Sequence, residues 1–149
     1  FMRGEAVVTE EGTALLLVGP SLSGKSTLAQ ALLAGSMTQL SSFYAVLDRE
    51  GRALPYPREV VSKESVPVSL VALLVYDPEA SWNTRSASPG EMALRLTAYL
   101  EGPEDSVASS LKPIARLSLS CRERLLGTRG ECLDTFLSGL SRSTPRGAD

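Results

Sequence analysis

Histidine is missing from all 149 residues, and that absence removes several chemistries at once. His-ligated zinc, Ser-His-Asp triads and phosphohistidine transfer are excluded from this chain, so any general base is Asp, Glu, Lys, Tyr or Cys. Cysteine is scarce: Cys121 and Cys132 are too few and fall too late to build a disulfide framework, and reduced core thiols suit a cytoplasmic protein. No long block of like charge interrupts a formal balance of −2, which argues against nucleic acid and against an anionic membrane as partners. The longest apolar stretch, around Val68 to Tyr76, is too short to cross a bilayer, and the N-terminus has no signal-peptide pattern. No internal repeat is present. The length suits one domain with a single core. Phe1 ahead of Met2 reads as a trimmed start and is set aside.

What is present is a phosphate-binding loop. Gly19-Pro20-Ser21-Leu22-Ser23-Gly24-Lys25-Ser26-Thr27 fits G-x-x-x-x-G-K-[ST] at every fixed position. The required context is there as well: the apolar run from Thr13 to Val18 leads in as a strand, and Ser26 to Ala34 leads out as a helix, with Leu28/Leu32 and Ala29/Leu33 at i, i+4 and Gly35 at a left-handed helix end. Main-chain N–H groups and the positive end of a helix can surround a phosphate only if no side chain intrudes, hence glycine at positions 19 and 24. Lys25 would carry its ammonium to the β- and γ-phosphates, and the Ser26 hydroxyl would ligate Mg2+. The predicted nucleotide-binding set is Gly19, Ser21, Ser23, Gly24, Lys25, Ser26 and Thr27, the last packing or capping the helix.

In chain order, Glu5 to Thr9 reads as a strand, and Glu10-Glu11-Gly12 as the turn of a hairpin with the strand entering the loop. Ser36 to Ser42 reads as a polar loop and Phe43 to Asp48 as a strand. Arg49-Glu50-Gly51 turns into Arg52 to Pro57, whose two prolines make it an edge. Ser62 to Pro67 is a linker. Val68 to Tyr76, continuously apolar, should be a central strand covered on both faces, stopped by Asp77-Pro78. Glu79 to Ser86 reads as a surface loop at the strand end where α/β proteins bind ligands. Ser88-Pro89-Gly90-Glu91 is a capping box opening a helix to about Leu100, and Gly102-Pro103 opens a second to about Leu111. Ala115, Leu117, Leu119 and Cys121 alternate with polar residues as in a half-exposed strand. A last helix over Glu131 to Leu140 would bury Cys132, Leu133, Phe136 and Leu137, and Ser141 to Asp149 reads as a disordered tail.

Taken with the loop, the segment from Tyr44 to Pro57, the strand from Leu70 to Tyr76, the helix from Pro89 to Leu100 with Ala93-Leu94-Arg95-Leu96, and the stretch from Ala115 to Leu119 occur in an order that resembles the HPr kinase/phosphorylase-like family of P-loop proteins, related in fold to phosphoenolpyruvate carboxykinase. The resemblance covers roughly Glu5 to Leu140. It implies an α/β, single-domain P-loop fold over residues 1–140 with a mixed central sheet flanked by helices, Mg-ATP as cofactor, and transfer of the γ-phosphate to a serine or small-molecule hydroxyl. It also implies a protein substrate or regulatory partner and a homo-oligomer.

The family's acidic motif, an aspartate base with a carboxylate near the metal, should fall just before Tyr44, where this chain reads Leu40-Ser41-Ser42-Phe43. Two acids could substitute as catalytic residues: Asp77, ending the central strand and also a metal ligand, which reads equally as an ordinary Asp-Pro strand stop, or Asp48, for which a turn residue is the favoured reading. Arg85 reads as a solvated loop arginine or a phosphate contact, and Tyr44, Tyr56 and Trp82 as packing or adenine-stacking residues. Without a carboxylate the chain would be a nucleotide-binding scaffold or regulatory module that has lost catalysis.

Overall fold

The computed structural model describes residues 1–56, 64–130 and 134. Strands β1 (Met2–Val8) and β2 (Ala14–Val18) form the expected hairpin, Gly4 opposite Val18 and Val8 opposite Ala14, closed by the Thr9 N–H on the Thr13 carbonyl at 2.8 Å. After α1 (Lys25–Leu33) come β3 (Thr38–Ser41), β4 (Tyr44–Leu47), β5 (Ala53–Leu54), β6 (Val68–Tyr76), β7 (Asn83–Ser86), α2 (Pro89–Thr97), α3 (Glu104–Ser120) and β8 (Glu123–Arg129). The sheet order is β5-β4-β1-β2-β6-β8-β7, with β3 paired to β1. β2, β6 and β8 run parallel at the centre, and antiparallel strands finish both sides. The mixed sheet is thus the expected one.

Period-two alternation places the two layers. Leu16 and Val18 of β2 with Val71 and Leu73 of β6 face α2 and α3, meeting Met92, Leu96, Ile114 and Leu117. Leu15 and Leu17 with Leu70, Ala72 and Leu74 face α1, meeting Leu28, Ala29 and Leu32. β2 and β6 are each covered on both sides, which is why their sequences are unbroken apolar runs. At the head of α2 the Ser88 hydroxyl accepts the Glu91 N–H at 3.2 Å, the expected cap.

Four segments differ from their sequence reading. The Ala115–Cys121 stretch is the second half of α3, not a strand: Ile114, Leu117, Ser118 and Cys121 are buried at helical spacing while Leu119 is 71% exposed. Pro113 inside α3 costs on the order of 3 kcal/mol, which burial of Ile114 and Leu117, at about 1.5–3 kcal/mol each, offsets. The Glu123–Arg129 segment, for which no strand is expected, is β8, an interior strand between β6 and β7. Thr38–Ser41 and Asn83–Ser86, read as loops, are short strands. Helix α1 ends at Ala34 in right-handed conformation, and the left-handed glycine is instead Gly24 at its start, φ 75°. Phe1, set aside above, packs its ring edge-on against Tyr44 and Tyr56, centroids 6.3 and 5.4 Å away. The helix expected over 131–140 and the tail lie outside the described residues, Asp134 excepted. Among the described residues no helix is long and apolar enough to cross a membrane.

Candidate functional site

Where β2 ends the chain turns sharply, and the first requirement is room. A Cβ on Gly19 would sit 2.9 Å from the Ser23 hydroxyl and 3.0 Å from the Leu74 carbonyl of β6. Gly24 takes a left-handed conformation at the N-cap of α1 and brings no side chain to cap the helix, so no N-cap side chain accepts from the first-turn amides. Leu22, also left-handed at φ 62°, stands 95% exposed at the loop tip. The bend is open, set on a helix N-terminus, and walled by Leu22, Gly24, Lys25, Ser26, Thr27, Tyr76 and Arg129 around a cavity of about 560 Å³, the size of a small-ligand site.

Lys25 folds its ammonium back over the bend, donating to the carbonyls of Gly19 and Pro20 at 3.0 and 2.7 Å and to the Ser23 hydroxyl at 3.2 Å. Burial pulls its pKa below the ordinary lysine value, the Glu5 carboxylate works against that, and the Arg3 guanidinium adds to it. Ser23 is buried beneath the bend and Ser21 lies at its edge, where its hydroxyl accepts from Arg3 at 3.4 Å. Ser26 donates its hydroxyl to the buried carboxylate of Glu5.

Arg129 is the residue that sequence reasoning missed. It ends β8, is 3% exposed, and lays its guanidinium 4.6 Å from the centre of the Tyr76 ring. Its nitrogens donate to the carbonyls of Gly130 and Gly24 at 3.3 and 3.4 Å, and Nε has no hydrogen-bond partner among the described residues. A Cβ on Gly24 would fall 2.1 Å from Nη2. Its pKa is held down by burial, with Tyr76 opposing. The signal for it is the rule that strand ends carry ligand residues, and the charged residues and Gly127 within Glu123–Arg129 mask that segment's strand character.

The two aspartates stand apart from this cluster. Asp77 follows Tyr76; its N–H donates to the Arg129 carbonyl at 3.1 Å, and its own carboxylate accepts the Glu79 N–H at 3.0 Å. Asp48 lies in the β4–β5 turn, accepting the N–H groups of Glu50 and Arg52 at 3.0 and 2.8 Å, beside a different cavity bounded by Leu100 and Ile114. Arg85 pairs with Glu91 at the head of α2, Nη1 to Oε2 2.9 Å. Tyr44 and Tyr56 pack on Phe1, and Trp82 packs against the α1-side core.

Ser26 and Glu5 offer hard oxygen donors that fit Mg2+. Among the described residues no group of three or more His, Cys, Asp or Glu could hold a metal ion, so a cation here would complete its shell with phosphate oxygens and water, as Mg2+ does in nucleotide sites.

No family model matches the chain, and no solved structure does. Over 127 aligned residues it is 35% identical to the mRNA cleavage and polyadenylation factor clp1 of Botryotinia fuckeliana (strain B05.10), a match taking in 78% of this chain and 25% of that protein. The chain thus spans about a quarter of the length of the curated relative it matches. The loop, helix and mixed sheet above are consistent with a P-loop fold; the narrower resemblance to HPr kinase/phosphorylase draws no support from the fungal relative.

Proposed function

We propose that this chain binds the phosphate tail of ATP, with Mg2+, at residues 19–27. One observation carries the reading. An open helix-head bend is flanked by two cations, Lys25 and Arg129, whose close partners are main-chain carbonyls and a hydroxyl. Among the described residues neither cation makes a salt bridge, and an anion of two or three phosphates suits two cations beside an amide cradle at a helix N-terminus. Lys25 would leave the Gly19 and Pro20 carbonyls for the β- and γ-oxygens, Arg129, on the cavity wall at the end of β8, would offer its guanidinium to a phosphate oxygen, and Ser26 would present its hydroxyl to the cation. Bound Mg2+ would neutralise charge developing on the phosphates.

For turnover, kinase-like transfer to a hydroxyl, Asp77 is the better placed acid, one residue beyond the cavity wall, and Asp48 the lesser. A second reading, nucleotide binding without turnover, is favoured by Leu40-Ser41-Ser42-Phe43, which lies alongside β1 and supplies no carboxylate. Under it the chain would serve as a scaffold or regulatory module; the fungal relative is itself named as an mRNA cleavage and polyadenylation factor. The test is thermal unfolding with and without Mg-ATP, then γ-phosphate release. Nucleotide at about a hundred times its dissociation constant should add roughly 2.7 kcal/mol of stability. Lys25→Ala should abolish that gain while the apo protein still folds. No gain in the wild type would refute nucleotide binding. Turnover that Asp77→Asn leaves unchanged would remove Asp77, and a gain without turnover selects the second reading.

A further inference from the structure

The acidic motif expected before Tyr44 is absent, yet a carboxylate stands against the loop from one strand over. Glu5, the fourth residue of β1 counted from its end nearest the loop, pairs with Leu17 across the hairpin and is 5% exposed. Its Oε1 accepts the Ser26 hydroxyl. The segment where the motif would lie flanks this same strand: Ser41 stands opposite Ala6, Tyr44 opposite Arg3, and the Phe43 carbonyl accepts the Gly4 N–H at 3.1 Å.

A buried carboxylate is costly without a cation beside it, and the salt bridges among the described residues do not include Glu5. Lys25 is near enough for the charge of Glu5 to act on its pKa, but its ammonium is committed to three loop oxygens. A hydroxyl that donates its proton to a carboxylate keeps both lone pairs for a metal and becomes a more basic ligand. We propose that Glu5 is the positioning residue of the cation site: it holds the Ser26 proton so that the Ser26 oxygen ligates the divalent ion of Mg-nucleotide, and it supplies the negative charge that residues 40–43 lack. This rests on the nucleotide reading above.

The experiment measures ADP and ATP affinity calorimetrically, each with Mg2+ and with a chelator, for the full chain and for Glu5→Gln and Ser26→Ala. Loss of an outer-shell partner costs about 10- to 100-fold in metal affinity. Glu5→Gln should therefore keep or improve nucleotide affinity in chelator and lose most of the tightening that Mg2+ confers. Ser26→Ala should lose it too. A merely structural Glu5 would lower both affinities together or neither, and a metal gain in Glu5→Gln equal to the wild type's overturns the proposal. Should the neutral variant unfold, Glu5→Asp serves the same comparison, since it keeps the charge and shortens the reach. A reduced metal gain supports the role and an undiminished one overturns it. A wild type that binds no nucleotide in chelator or in Mg2+ instead refutes the nucleotide reading itself.

Discussion

Replacing Arg129 by methionine should separate stability from binding. The guanidinium is buried with no carboxylate against it among the described residues, two hydrogen bonds at 3.3 and 3.4 Å and one aromatic face. The bonds lie at or beyond the long end of the N–H···O range, so each is worth at most about 1.5 kcal/mol, and the cation–π contact adds about 1–2. Against at most roughly 4–5 kcal/mol of such contacts stands the cost of removing an ion from water, several kcal/mol even after relaxation. The open cavity at its side moderates that cost by admitting water. The terms nearly cancel, and methionine fills similar volume without the charge, so the apo protein should unfold within about 1 kcal/mol of wild type, a few degrees in Tm. Nucleotide affinity should behave otherwise. A charge-assisted bond to phosphate is worth about 1.5–3 kcal/mol, so its loss should weaken Mg-ATP roughly 10- to 150-fold. Urea unfolding of the apo protein and calorimetric titration of Mg-ATP read the two effects independently. Apo destabilisation beyond about 3 kcal/mol with nucleotide affinity intact would make Arg129 a structural tie of β8 to the loop and refute the account.

Gly24→Ala combines a left-handed position, about 1–2 kcal/mol for a residue with a Cβ, with a 2.1 Å clash on Arg129; thermal unfolding should show the loss, and the nucleotide-induced rise in Tm should vanish. Leu117→Ala should cost about 2–5 kcal/mol, whereas Leu119→Ala should stay within about 0.5; equal costs in urea unfolding would revive the strand reading of this stretch. The folded pKa of Lys25 is depressed below the unfolded 10.5, so the unfolded chain holds its proton to higher pH and apo stability should rise as pH climbs from the folded value towards 10.5, relative to Lys25→Met. Nucleotide affinity should fall over the same window as the ammonium is lost, and a parallel rise in both would contradict a phosphate role for Lys25.

Where local pattern and tertiary demand agree, the sequence was legible. The loop with its flanking strand and helix, the hairpin and the double-covered β6 all follow from residue spacing, because each is specified within a dozen neighbours. The readings failed where one pattern served two periods. Leu117, Leu119 and Cys121 alternate, but Ile114, Leu117, Ser118 and Cys121 also fit a helix, and only the sheet beneath decides between them by leaving Leu119 in water. β8 escaped notice because charged residues and Gly127 interrupt it. That glycine is needed because a Cβ there would lie 2.0 Å from the Asn83 carbonyl of β7, a contact across 44 residues that no local window contains.

The topology also explains why the acid at the loop was hard to see. In an all-parallel sheet the strand beside β2 would bring its C-terminal end to the phosphate loop, and acids at strand ends are the natural place to look. Here β1 runs the other way, so its beginning meets the loop: Arg3 reaches Ser21, Glu5 reaches Ser26, and Gly4 between them admits the Leu17 carbonyl, which a Cβ would meet at 2.7 Å. The register that pairs Glu5 with Leu17 turns its carboxylate to the α1 side; a slip of one residue would turn it into the apolar layer under α2 and α3, where no hydroxyl or amide cradle could repay its burial. The hairpin register is therefore set by the same alternation that seals the core, and the position of the carboxylate at the loop follows from it.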